Sequence, residues 1–173
     1  MKKYPPLETI KSILDYDPDT GIYRWKVTGT GRKVSKIAGC NGQGYVSIRI
    51  NYELLYAHRL AWYITYGYLP KELDHINRNK SDNRICNLRE CNRSQNLANK
   101  LPYENRKYKG VYFDKRRGKY QSQIKHNNKQ YYLGTFKTSE AAARAYNAKA
   151  LELYGEFALL NEVDQSEQLL FEE

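Results

Sequence analysis

From Tyr108 onward the chain runs through an order of elements that few folds can accommodate. Three strand-length runs, Gly110–Phe113, Tyr120–Lys125 and Gln130–Phe136, are separated by Lys115-Arg116-Arg117-Gly118 and Asn127-Asn128-Lys129, both turn-like in composition. A helix from Ser139 to Tyr154 follows. Thr138 stands where an N-cap belongs, Glu140 is an acid in the first turn, and Gly155 is a stop. The helix carries Ala141, Ala142, Ala143, Ala145, Ala148 and Ala150, so it can lie close against a sheet. Alternate residues of a strand share a face. Gln123 and Lys125 therefore oppose Ile124, and Gln130 and Tyr132 oppose Tyr131 and Leu133. Tyr120, Tyr131, Leu133, Phe136 and Tyr146 are the expected core.

Charge separates this segment from its neighbours. The whole chain holds 29 Lys+Arg against 19 Asp+Glu, a net +10. Residues 100–150 carry 13 basic and 3 acidic side chains, residues 1–99 carry 16 and 9, and residues 151–173 carry 7 acids and no base. A dense basic segment interleaved with Tyr is the footprint of a phosphate-binding surface. The acidic end fits either an inert solubilising tail or a weak internal competitor for that surface. Leu60–Ile64, the longest apolar run, is far too short to span a bilayer, and the first residues lack the apolar stretch of a signal peptide. Cys40, Cys86 and Cys91 are too few and odd in number for a disulfide scaffold, and 13% aromatic residues argue against general disorder. A soluble, intracellular protein is expected.

The N-terminal part is built of shorter pieces. Leu7, Ile10, Ile13 and Leu14 mark a helix. Asp17-Pro18-Asp19-Thr20-Gly21 is a turn leading to a strand at Ile22–Val27. Residues 28–44 read as a loop. Tyr45–Ile50 and Leu54–Ala57 flank a hairpin connection, and Arg59–Tyr66 reads as a helix closed by Gly67. Leu73–Ile76 is a short strand, 77–84 a polar loop, and Ile85–Asn99 is helical in its later part. Residues 100–107 form the linker, with the second module beginning at 104.

The segment LDHINRNKSDNRICNLRECNRSQNLAN could carry chemistry. Asp74 and His75 are adjacent, so a strand would point them to opposite faces, one toward a metal and the other toward a water. Asp and Asn oxygens suit Mg²⁺ or Mn²⁺ rather than Zn²⁺. A neutral imidazole can accept a proton from an attacking water near neutral pH. Such parts suit metal-assisted hydrolysis of a phosphodiester. Taken alone, an Asp-His pair also fits a capped turn, and the Asn residues fit turn formers. His58 reads first as a packing or capping residue, and Arg59, Arg84, Arg89 and Arg93 as phosphate contacts or solvated charges. The spacing of Cys86 and Cys91 does not match a zinc knuckle, so structural zinc is not expected.

The run Asp74-His75, Asn87-Leu88-Arg89 and Asn96 resembles the HNH endonuclease motif, in the variant where Asn replaces the last His. Ala57-His58-Arg59-Leu60-Ala61-Trp62 resembles the approach segment of phage and intron-encoded homing members. The resemblance covers roughly residues 20–99. It implies a ββα-metal unit in which Asp74 and Asn96 hold the ion, His75 is the general base, and Asn87 orients His75 by holding the loop. The helix bearing Asn96 should begin near Asn92.

A second resemblance covers residues 108–161, to the plant ethylene-response-factor (APETALA-type) DNA-binding domain. It rests on Tyr108-Lys109-Gly110-Val111, Gly118-Lys119-Tyr120, Tyr131-Tyr132-Leu133-Gly134-Thr135-Phe136, Glu140 to Tyr146, and Ala158-Leu159-Leu160-Asn161. It implies a three-stranded antiparallel sheet packed on one helix and laid in the major groove. Lys109, Tyr112, Arg116, Gln123, Lys125, Gln130 and Tyr132 would face DNA, though several family arginines are replaced here.

Together these imply an α+β chain. An HNH nuclease domain with N-terminal β-hairpins spans 1–103, its ββα-metal core at about 54–99. An APETALA-type DNA-binding domain spans 104–163, and an acidic tail 164–173. The expected function is that of a site-specific, homing-type DNA endonuclease using one Mg²⁺ or Mn²⁺, nicking double-stranded DNA as a monomer rather than a dimer. Neither a membrane nor a small-molecule cofactor is expected, and the location expected is the cytoplasm, at the nucleoid of a bacterial or phage-infected cell. A non-catalytic DNA-binding regulator, with the HNH unit a mere scaffold, is the alternative. An RNA-binding factor would suit the Tyr content but lacks a single-strand motif.

Overall fold

Buried apolar residues at the predicted spacing start the first element: Ile10 and Leu14 are almost fully enclosed, and the helix α1 runs Leu7–Ile13. The computed structural model describes residues 4–103 and 106–163, so the acidic tail at 164–173 lies outside the described residues. Contacts group the chain into two compact units, Met1–Asn92 and Arg93–Glu173.

In the first unit, β1 (Leu14–Tyr16) pairs antiparallel with β2 (Tyr23–Trp25) across the Asp17–Gly21 turn. Asp17 Oδ1 accepts the Asp19 N–H and its Oδ2 the Thr20 hydroxyl, which fixes the turn. Gly21, at φ +72°, is required there. A Cβ would stand 2.5 Å from the Arg84 nitrogen. Strands β3 (Cys40–Gly42), β4 (Tyr45–Ile50) and β5 (Glu53–Tyr56) form an antiparallel sheet in the order 3-4-5. A two-residue turn joins β4 to β5, with Asn51 and Tyr52 both at positive φ and Ile50 paired to Glu53. The strand β3 lies within the stretch expected to be loop; all three of its residues are exposed, so no apolar alternation marks it.

Helix α2 (Ala57–Tyr66) continues directly from β5 and ends on Gly67 in the left-handed conformation. Its buried face, with Ala57, Leu60, Ala61 and Trp62, closes a core shared with Ile48, Ile50 and Leu55. Then β6 (Glu72–His75) pairs antiparallel with β7 (Leu88–Cys91), in a register that sets Asp74 opposite Arg89 and His75 opposite Leu88. Between them lie a polar loop and a single 3-10 turn at Ile85–Asn87.

The second unit opens with the six-residue helix α3 (Arg93–Ala98). The boundary expected at 103/104 and the division between the compact units therefore differ by eleven residues. The reason is physical: Ala98 is buried in one cluster with Ile124, Tyr146, Ala150 and Tyr154. The antiparallel sheet β8 (Val111–Asp114), β9 (Lys119–His126) and β10 (Lys129–Phe136) has β9 at its centre, and α4 (Ser139–Tyr154) packs on it. The Thr138 hydroxyl accepts the Ala141 N–H, as an N-cap should. Ala142, Ala143, Tyr146 and Ala150 are buried, and Tyr120, Tyr131, Leu133 and Phe136 pack against them partly covered. No helix among the described residues is long and apolar enough to cross a membrane.

Candidate nuclease site and nucleic-acid interface

Asp74, His75 and Asn87 are all about 6% exposed, a degree of enclosure unusual for an Asp and for an Asn in or beside a loop. The register of β6 and β7 explains how Asp74 tolerates it. Arg89, directly opposite, donates from Nε at 3.0 Å and from Nη2 at 2.9 Å to Asp74 Oδ2. This charge-assisted pair, itself largely covered, fixes the carboxylate's orientation.

Asn87 spans the loop. Its Nδ2 donates to the Asp82 carbonyl at 2.9 Å, and its Oδ1 accepts the Asn77 N–H at 3.0 Å. One side chain thus closes both ends of the 77–82 segment. Asn77, Asn79 and Asp82 add local side-chain to backbone bonds typical of Asx turns. Tyr16 from β1 donates its hydroxyl to the Asn83 carbonyl, and the Ser81 hydroxyl donates to the Gly44 carbonyl, so two other elements anchor the same loop.

The ring of His75 is packed edge-on against His58, centroids 4.9 Å apart, with Tyr45 at 6.1 Å. His58 in turn stacks on Tyr56 and touches Tyr45. Burial pushes the His75 pKa below the ordinary histidine value, while the Asn83 side chain and the charges of Asp74 and Asp82 pull the other way. His58 is pushed down to about 3, chiefly by burial and then by its neighbours His75 and Arg59. Both rings are neutral near pH 7. His58 and Arg89 are the site neighbours that sequence reasoning left with bland alternatives. A cross-strand register and a helix start had to be known before either could be placed.

Asn96 lies on α3, half-buried, in the second compact unit. Among the described residues no group of three or more His, Cys, Asp and Glu gathers in a manner able to hold a metal ion.

On the sheet of the second unit, cross-strand pairing sorts the expected DNA-facing residues. Tyr112, Gln123, Lys125, Gln130 and Tyr132 share the face opposite the buried Ile124, and so does Gln121, which the sequence reading passed over. Tyr132 is 59% exposed, and Arg116 is exposed in the β8–β9 turn. Asp114 accepts the Arg116 and Arg117 N–H groups at 3.0 and 3.3 Å, which shapes that turn. The Arg106 guanidinium lies over the Tyr112 ring at 4.3 Å. Lys109 stands apart from the open face: its Nζ donates to main-chain carbonyls of Leu97, Ala98 and Lys100.

Comparison with known proteins agrees with both halves. Residues 55–98 match the HNH endonuclease family, and residues 106–156 match the AP2 domain. An uncharacterized HNH endonuclease of Acanthamoeba polyphaga mimivirus is 31% identical over 154 residues, spanning 87% of this chain and 73% of that protein. APETALA2-like protein 2 of Oryza sativa subsp. indica is 46% identical over 54 residues, which is 31% of this chain and 12% of the plant protein. An AP2-like ethylene-responsive transcription factor of Arabidopsis thaliana matches equally over 11% of its length. With a buried Asp-His pair on a braced hairpin, and a likeness running through both units, this chain belongs to the HNH endonuclease family and carries an AP2 domain behind its nuclease motif.

Proposed function

We propose that the chain is a site-specific DNA endonuclease of the homing type, in which the AP2 sheet supplies register and the HNH residues cut a nearby phosphodiester. The observation that carries this reading is the hairpin of β6 and β7, where an oriented carboxylate and a neutral imidazole sit on adjacent residues above a loop closed by one Asn side chain. Asp74 and Asn96 are the proposed metal ligands, and Mg²⁺ or Mn²⁺ fits their hard oxygens. When bound, a divalent ion stabilises the charge that develops on the leaving oxygen.

The chain's own residues do the rest. His75 takes the proton of the attacking water at an imidazole nitrogen, for which its lowered pKa keeps it in the basic form at neutral pH. Asn87 orients His75 by holding the loop that follows it, acting through the Asn77 and Asp82 backbone. Tyr112, Arg116, Gln123, Lys125, Gln130 and Tyr132 contact the duplex. One site attacks one strand, so a monomer nicks, and a double-strand break needs two events or two copies.

His75→Ala is expected to lower cleavage by about 10²–10⁴-fold, the range general-base catalysis covers, while duplex affinity changes by less than about twofold because no phosphate contact is lost. Nicking of supercoiled plasmid, with Mg²⁺ or with a chelator, reads the first; a filter-binding isotherm reads the second. Parallel loss of both would overturn the assignment of roles. A protein that binds duplex but never cuts would be a DNA-binding regulator instead.

A further inference from the structure

We propose that Lys109 is a positioning residue for the nuclease, its ammonium capping the C-terminal turn of α3 and thereby fixing the helix that carries Asn96, rather than a contact to DNA phosphate. The inference rests on Asn96 being a metal ligand, and it concerns only residues of the second compact unit.

Helix α3 cannot hold itself. Six residues make fewer than two turns, and isolated helices of that length are unstable in water. Its closing backbone bonds are long: the Asn99 N–H reaches the Gln95 carbonyl and the Lys100 N–H the Leu97 carbonyl, each at 3.3 Å. The last carbonyls of any helix need outside donors. Here the Leu159 N–H supplies one, to Ala98 at 3.2 Å. Lys109 adds three more at the end of the helix, donating to Leu97 at 3.1 Å, to Ala98, and to the Lys100 carbonyl just beyond it at 2.7 Å.

An ammonium has three N–H donors and finds three carbonyls, so its hydrogen-bonding capacity is filled. Its positive charge also lies at the negative end of the helix dipole, where cations are favoured. The stem is fixed as well. Asn161 accepts the Lys109 N–H through Oδ1 at 2.6 Å and donates from Nδ2 to the Lys109 carbonyl at 3.1 Å. To reach a phosphate, Lys109 would abandon three acceptors at once and leave the end of α3 to the long bonds from the Leu159 and Lys100 N–H groups. At the other end Ser94 is held too, its hydroxyl paired with Tyr154 at 3.2 Å and accepting the Asn127 N–H at 3.1 Å. The turn bearing Asn96 is thus fixed at both ends by groups from the DNA-binding module.

The whole 173-residue chain and its Lys109→Met and Lys109→Gln variants separate the two roles. Lys109→Met keeps the methylene stem and removes every donor; Lys109→Gln keeps an amide donor without the charge. With duplex saturating, cleavage by Lys109→Met is expected to fall at least about tenfold, and the Mg²⁺ concentration for half-maximal cutting to rise, as for other groups that orient metal ligands. Lys109→Gln falls between it and wild type. Duplex affinity and its salt slope stay within error of wild type, and amide exchange across residues 93–100 of the DNA-free protein speeds up. A phosphate contact predicts the opposite: weaker binding in both variants alike, a salt slope smaller by about one, undiminished cutting by the saturated complex, and unchanged exchange. That pattern would overturn the proposal. If wild-type protein binds duplex but does not cut with any divalent ion, the nuclease reading fails, and the exchange and salt-slope arms still decide whether Lys109 caps α3.

Discussion

At the scale of single residues, the site depends on rings that refuse protons. His58 has its Nδ1 buried with no hydrogen-bond partner among the described residues, and it packs on Tyr56, Tyr45 and His75. Its folded pKa of about 3 lies far below that of an unfolded histidine, near 6.5. Between those values the unfolded chain binds a proton that the folded one does not, so stability is complete above pH 6.5 and falls as pH drops toward 3. The loss from this one residue is about 1.4 kcal/mol per pH unit. His58→Phe keeps a planar ring in the cluster and removes the titration. Urea unfolding at pH 4.5 and pH 7 should show a smaller difference in the variant than in wild type by about 2.5 kcal/mol, that slope taken over the two units below pH 6.5; equal differences would place the titration elsewhere. Arg89 makes a complementary point. Its guanidinium allows Asp74 to sit buried, and a carboxylate deprived of such a partner costs several kcal/mol.

At the scale of elements, local chemistry and distant pairing divide what could be read in advance. Helix α4 was legible to the residue, because its N-cap, its alanines and Gly155 are all local signals. The three strands of the second unit came within a residue or two, since turns of Gly and Asn bound them. The strands β3 and β7 were not legible from pattern. β3 is exposed throughout, and β7 lies in a stretch whose later part is helical; each exists only because a partner strand meets it. The motif residues Asp74, His75 and Asn87 could be named from their resemblance to the HNH motif, whereas the pairing of Asp74 with Arg89 and of Lys109 with α3 depends on tertiary placement. Gly110 belongs to the same class. At φ +73°, a Cβ there would stand 2.1 and 2.3 Å from two ring carbons of Tyr146 and 2.6 Å from the Gln123 carbonyl. Gly110→Ala is therefore expected to cost about 3 kcal/mol, overpacking and a disfavoured φ acting together. A thermal melt showing less than a few degrees of change would refute the requirement.

For the whole molecule, the relevant question is where its independent parts begin. The family match to the nuclease ends at residue 98, while the first compact unit ends at Asn92. Helix α3 belongs to the nuclease by motif and to the DNA-binding module by packing, with Ala98 5% exposed among Ile124, Tyr146 and Tyr154. A fragment of residues 93–163 should consequently be more stable than one of 106–163. Removing α3 uncovers Ala98's neighbours and orphans the Lys109 ammonium and the Leu159 N–H, about 2 kcal/mol in all. For a domain this small that corresponds to a melting temperature lower by roughly 8–16 °C, measurable by circular dichroism. The consequence reaches beyond this chain, to how such proteins can be recombined. Grafting a new reading head at the polar linker near residue 100 would strand α3, and Asn96 with it, without the surface it was built on. The viable seam is the single peptide bond between Asn92 and Arg93, where a donor module brings its own α3 with it.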